Sequence, residues 1–301
     1  MREYSSRAED LTVVWTRGKG CAELADLLAF NETNRIVGDV DDACISQRAD
    51  LLVSKRLPGD FDLVSVAVPV DFQPEKVTSV VATVAGGPHS LLAAETAAQL
   101  GRSLGVPTEM VSALATDADP STADEVLTQI GERLPGLAKR VVEVEGVAEL
   151  VENLDDGALL VLGAPGGSWL QRSMFGPGAR LRRTAQAGSV VVRSAPDRVF
   201  RFMGEPVYVA PLRQADDTLL VHSEATLAVA DAGRLIGLVR REALARVGGA
   251  PVGEVMEKAV SVRVDETLLQ AWQLEPIFGS DPIPVTDHDE HLVGGLSLRA
   301  G

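Results

Sequence analysis

The stretch Gly163-Ala-Pro-Gly166-Gly-Ser-Trp-Leu-Gln-Arg-Ser-Met-Phe-Gly176-Pro-Gly178 (GAPGGSWLQRSMFGPG) follows directly on the apolar run Leu159–Leu162, LLVL. Five of its sixteen residues are glycine, the residue that lets a backbone approach a ligand closely. A buried strand that ends in such a loop and then gives way to a helical pattern has the layout of a phosphate cradle. The same composition also suits a surface turn, so the flanking sequence has to decide.

Working outward, the residues from Val77 to Pro196 alternate strand and helix patterns. Strand VTSVVATV ends at Ala85-Gly86-Gly87-Pro88, and a helix is predicted over His89–Leu104, with Pro88 where proline suits a helix start. Strand Pro107–Leu114, a helix over Ser121–Leu134, strand Lys139–Glu145 and the short helix VAELVENL come next. Strand Ala158–Gly163, the glycine loop, a helix from about Gly178 to Ala187 and strand Ser189–Arg193 complete the series. Strands that alternate with helices indicate a parallel sheet covered on both faces. The prediction is an α/β domain over 77–196 with a doubly wound, five-stranded parallel sheet.

Two further regions flank it. Residues 1–74 read as an α/β N-terminal extension, with strand patterns at Leu11–Trp15 and Phe61–Val70 and an amphipathic helix over Cys21–Phe30. Between the first strand and that helix lies Arg17-Gly-Lys-Gly20, which lacks the first glycine and the Ser/Thr of a phosphate loop and reads as a turn. Residues 197–301 contain an internal echo. Thr226–Leu244 and Ile283–Gly301 both read as apolar strand, Asp-containing turn and a second apolar strand, with Gly237 and Gly294 in register 57 residues apart. Met203 and Met256 open the two copies, and the spacing is that of a repeated supersecondary unit.

Composition narrows the function classes. A chain of 301 residues with 46 % hydrophobic residues builds more than one core. No apolar run approaches the roughly 20 residues of a membrane span, and the N-terminus lacks a signal-peptide pattern, so a cytoplasmic protein without direct membrane insertion is expected. Two cysteines, Cys21 and Cys44, exclude a disulfide scaffold. A net charge of -15 argues against nucleic acid, whose phosphates it would repel.

The second region resembles the universal stress protein family over its whole length. The ATP-binding members show Gly, two residues, Gly, nine residues, Gly, then Ser or Thr, and Gly163, Gly166 and Gly176 keep that spacing. In that fold the ligand crevice lies between the first and fourth strands, which end here at Ala85-Gly86 and Gly163. The resemblance therefore assigns Gly86, Gly87, Gly163, Gly166, Gly176, Gly178 and Arg180 to a nucleotide site, with ATP or ADP as its cofactor. Two family contacts are missing: Ala85 stands in place of an aspartate, and Pro177 in place of the hydroxyl residue. The third region resembles a tandem pair of cystathionine-β-synthase-type (CBS) domains. Such pairs bind adenosine nucleotides such as AMP in clefts between their repeats and regulate attached or partner domains. Their ribose pattern, Ser or Thr three residues after the glycine and Asp three further on, falls on Arg240 and Ala243 in the first copy and on Ser297 and Ala300 in the second. Only Ser297 fits, while Arg240 and Arg241 are candidates for phosphates.

Other constellations carry less. Asp287-His288-Asp289-Glu290-His291 has metal-binding residue types but falls on a hairpin turn, where such residues are routine, so no metal is predicted. His89 and Ser90 read as helix-start residues and Arg182 and Arg183 as a solvated helix face. No nucleophile–base set or paired acid and base is recognisable, which favours a regulator over an enzyme. The reading is a cytoplasmic, homodimeric regulatory protein that couples an adenine nucleotide to a change sensed by a partner such as a transporter or enzyme. The alternatives are a ligand-free assembly module and a weak ATPase.

Overall fold

The structure is a computed structural model that describes residues 11–29, 33–57, 59, 61–114, 120–144, 147–164 and 187–298. The chain divides into two compact units, Met1–Ala195 and Pro196–Gly301.

The first unit is built on one sheet. Its strands are β1 (Val13–Trp15), β2 (Asn34–Arg35), β3 (Leu51–Val53), β4 (Ser65–Val70), β5 (Ser79–Thr83), β6 (Thr108–Leu114), β7 (Ala138–Glu143), β8 (Ala158–Gly163) and β9 (Ser189–Arg193). Among the described residues the helices are α1 (Cys21–Leu28), α2 (Val40–Ser46), α3 (Pro88–Leu104), α4 (Pro120–Arg133) and α5 (Val147–Glu152). Strands β3 and β8 are buried along their whole length, as continuous Val/Leu/Ala runs require when both faces of a parallel sheet are covered. Helix α3 brings Ala93, Ala94, Ala97 and Leu100 into that core, where Val80, Ala82, Leu159 and Val161 are also fully enclosed.

The expected five-stranded sheet needs correction, because the sheet has nine strands in the order β2-β1-β3-β4-β9-β8-β5-β6-β7. Strands β5 to β9 form a contiguous parallel block, and strand order reverses between β5 and β8. The block does not end at β9. Strand β4 of the N-terminal region adds antiparallel to it, with Val66 opposite Arg193, Val68 opposite Val191 and Val70 opposite Ser189. A free β9 edge would leave unpaired backbone groups beside the buried Val190 and Val192, and β4 supplies their partners. Pro69 is tolerated inside β4 for a specific reason. The Ser54 N–H donates to the Ala67 carbonyl as the last bond from β3, so Pro69, two residues on, faces the same side beyond the end of β3 and no donor is missed.

The two half-sheets wind alike. In one, β1 is flanked by β2 and β3, with β4 outermost. In the other, β5 is flanked by β6 and β8, with β9 outermost and β7 added beyond β6. They meet through β4 and β9 in a register centred on Val68–Val191, which relates them by a local two-fold axis.

The second unit contains two sheets of the same plan. The first is β10 (Tyr208–Val209), β11 (Thr226–Asp231) and β12 (Arg234–Arg240); the second is β13 (Val262–Arg263), β14 (Ile283–Thr286) and β15 (Leu292–Leu296). In both, a short strand pairs parallel with the first arm of a hairpin, and the hairpin bulges at Val229/Ala230 or Val285/Thr286. Helices α6 (Ala215–Val221), α7 (Arg241–Val247), α8 (Leu268–Trp272) and α9 (Glu275–Phe278) complete the unit. A Thr267–Gln270 capping box starts α8.

The segments that open the two copies are exchanged. Gly204, which leads into the first copy, pairs with Gly295 of the second through N–H···O bonds of 2.8 and 3.1 Å. Glu257, which leads into the second copy, pairs with Leu238 of the first at 2.7 and 3.1 Å. The crossings explain the two echoed glycines. A Cβ on Gly237 would stand 2.8 Å from the Glu257 carbonyl oxygen and 3.0 Å from Met256 Sδ. One on Gly294 would stand 2.9 Å from Met203 Sδ and 3.0 Å from the Gly204 carbonyl oxygen.

Candidate functional site

The first candidate site lies where β5 and β8 end side by side. Beyond β5 the chain turns through Gly86 and Gly87, at φ +90 and +80, into α3. Ser90 holds this turn, accepting the Ala85 N–H at 3.0 Å and donating to the Gly86 carbonyl at 2.9 Å. His89 spans to the neighbouring strands. Its Nδ1 accepts the Ser194 N–H just past β9 at 3.0 Å, and a Cβ on Gly163 would lie 3.1 Å from its backbone. Burial, together with the positive charge of Arg193, shifts the imidazole pKa below its ordinary value. Arg193 itself donates to the Gly59 carbonyl at 2.9 Å and to the Phe61 carbonyl, which leaves its guanidinium committed to the loop before β4.

The structure therefore brings Gly86, Gly87 and Gly163 to adjacent strand ends, joined by His89 and Ser90. Gly166, Gly176, Gly178 and Arg180 lie outside the described residues.

The second candidate site lies in the C-terminal unit. Arg240 ends β12 and is well exposed, with its Nε 3.4 Å from Glu257 Oε1 on the segment that crosses from the other copy. Arg241, its neighbour in sequence, has a different task. It donates to the Leu219 carbonyl at 3.3 Å and to the His222 carbonyl, closing the C-terminal end of α6. Of the two arginines read as phosphate candidates, only Arg240 keeps its side chain mostly in solvent. Ser297 is exposed immediately after β15.

Arg240 and Ser297 are not brought together. The hairpins of the two copies meet antiparallel at Arg234 and His291, where Arg234 also forms a 2.9 Å ion pair with Glu290. Arg240 lies six residues beyond Arg234 and Ser297 six beyond His291, running in opposite directions from that contact. They therefore lie on opposite sides of that contact, each at the end of a hairpin strand that the other copy's leading segment crosses.

The acidic turn of the second hairpin has a structural role. Asp287 Oδ1 accepts the Asp289 and His291 N–H groups at 2.9 and 2.8 Å, and the His291 ring lies 3.4 Å from its other oxygen. Among the described residues no three His, Cys, Asp or Glu side chains are arranged to hold a metal ion. Both cysteines are buried thiols, and burial pushes Cys44 up to about 12, far from a reactive thiolate. No helix among the described residues is long and apolar enough to cross a membrane.

No protein-family model matches the chain, and no curated protein matches it. Similarity to solved structures falls on CBS-pair proteins. The CBS-pair protein CBSX2 from Arabidopsis thaliana is 25 % identical with a TM-score of 0.31, covering 34 % of this chain and 89 % of its own. CBSX2 in a complex with AMP is 26 % identical with a TM-score of 0.30, covering 34 % of this chain and 90 % of its own. The soluble part of a magnesium transporter is 18 % identical with a TM-score of 0.31; it covers 34 % of this chain, which in turn spans 44 % of that protein.

Proposed function

We propose that the C-terminal unit is a CBS pair that binds an adenine nucleotide and regulates the rest of the chain or a partner. The carrying observation is the exchange of leading segments over Gly237 and Gly294. It makes each cleft depend on both copies, so a ligand that favours one relative placement of the copies changes both clefts together. Exposed Arg240 would meet a phosphate in one cleft, and Ser297 a ribose hydroxyl in the other. The order of β5 to β9 supports a universal-stress-type block in the first unit. Ala85, in place of the family's aspartate, removes one expected ligand contact from that crevice.

The deciding experiment titrates AMP, ADP and ATP into the full chain and into R240A and S297A variants, with mass spectrometry of nucleotides released from the purified protein. Weakening of AMP binding by about tenfold in either variant is expected, the loss of one polar contact to the ligand. Unchanged binding in both would move the site elsewhere.

A second reading, assembly, is favoured by the apolar side chains that the C-terminal unit leaves in solvent. Leu220 is 85 % exposed on α6, Leu269 76 % and Trp272 48 % on α8. Faces of this kind cover one another in two-fold dimers. Light scattering across a micromolar dilution series should give twice the chain mass, and L220E/L269E should reduce it to one chain; a monomer throughout would dismiss the dimer.

A further inference from the structure

We propose a second ligand site, independent of the C-terminal clefts, where β1 and β3 end in the first unit, and we assign it to a small molecule bearing two or more phosphate charges. Strand order in the N-terminal half-sheet reverses between β1 and β3, because β2 lies on one side of β1 and β3 on the other. In an open parallel sheet, the loops leaving two such strands diverge and open a crevice beyond their C-termini. Here the loop after β1 carries Arg17 and Lys19, and the loop after β3 carries Lys55 and Arg56; all four are exposed.

The two loops are in contact. The Thr16 N–H donates to the Val53 carbonyl at 2.9 Å, Thr16 Oγ1 donates to Ser54 Oγ at 3.4 Å, and a Cβ on Gly18 would lie 3.0 Å from Lys55 Cβ. The charge of Lys55 reaches the Cys21 thiol at the start of α1, as does that of Glu23. Among the described residues, none of the four cations has an ion-pair or hydrogen-bond partner. Carboxylates at this end of the sheet are Glu23 in the first turn of α1, Asp71 after β4, and Asp39, Asp41 and Asp42 at the start of α2 beyond β2; the touching segments Thr16–Gly20 and Ser54–Leu57 carry only cations among their charged side chains. Four cations with no carboxylate between them on those two segments stand out in a chain of net charge -15.

Four cations on two touching loops repel one another until an anion sits between them. A single carboxylate would leave most of that repulsion in place, whereas a di- or triphosphate neutralises it. The guanidinium forks of Arg17 and Arg56 suit phosphate oxygens in particular. The loop Arg17–Gly20 reads as a plain turn on sequence because half its cations come from a segment more than thirty residues away.

The test is calorimetric titration of tripolyphosphate, and separately ATP, into the full chain at low salt. The full chain, K19A/K55A and R240A are compared, with circular dichroism confirming the fold of each. The expected result is a tripolyphosphate site that K19A/K55A weakens by about tenfold or more, that added KCl weakens less in that variant than in the full chain, and that R240A leaves intact. Tripolyphosphate binding that K19A/K55A does not alter, or no binding by the full chain, overturns the assignment. Nucleotide binding lost in R240A alone concerns the C-terminal clefts and leaves this site standing.

Discussion

Replacing Gly237 with valine is expected to cost the C-terminal unit about 3 kcal/mol or more and to abolish its nucleotide binding. The obstruction is backbone: the added Cβ would meet the Glu257 carbonyl oxygen at 2.8 Å before it meets the Met256 side chain. A flexible thioether can swing aside, but the carbonyl is held by its pairing with Leu238. The new side chain therefore pushes the crossing segment off the hairpin. Gly249→Ala is the matching control, since its Cβ would find only Gln214 Oε1 at 3.9 Å, and it should change stability by no more than about 0.5 kcal/mol. Scanning calorimetry of both variants gives the comparison, and equal melting temperatures would show that the crossing carries no strain.

The second large effect is a pH dependence from Glu95 on α3. Its side chain is half-buried, and desolvation raises its pKa from 4.5 to about 7 against a smaller opposing pull from Arg133. The folded chain thus binds this proton more tightly than the unfolded chain does. The stabilisation it brings is complete below about pH 4.5 and is lost as pH rises through about 7. Taken alone, the group would lower stability by on the order of 3 kcal/mol across that window. Glu95→Gln removes the titration, so urea unfolding should show the variant more stable than the parent at pH 8 and similar to it at pH 5. A parent and variant with parallel pH profiles would place the Glu95 carboxylate in water.

Strands β4, β8 and β9 were readable because long Val/Leu/Ala runs bounded by turn residues have few other solutions. Strand β3, three residues long, and β2, two exposed residues, offer no period to detect. Helix α2 buries only Cys44; its sequence signal is Asp39, whose side chain accepts the Asp41 and Asp42 N–H groups as an N-cap. The joining of β4 to β9 was invisible for a different reason, since it pairs residues such as Val66 and Arg193 that are far apart in sequence, and no local preference encodes such a pairing. In the C-terminal unit the 57-residue echo disclosed the repeat and its glycines. It did not disclose that Met203 and Met256 each lie against the other copy, nor that Arg241 closes α6 while Arg240 pairs with Glu257 of the crossing segment.

The antiparallel seam between β4 and β9 has a bearing on how this protein can evolve and assemble. Two similar halves that separate chains would have to find by diffusion are here delivered to each other by one polypeptide, at an effective concentration set by the tether. Neither half needs to be self-complementary, because each always faces the same, different neighbour. One strand can carry Pro69 at the seam while its counterpart carries Val192 at the equivalent position, and one half can lose a strand that the other keeps in β7. The outermost strand of each half is also sealed against recruitment by a foreign strand. Symmetric pairing through that edge is closed to this chain, and any larger assembly must be built from the remaining surfaces.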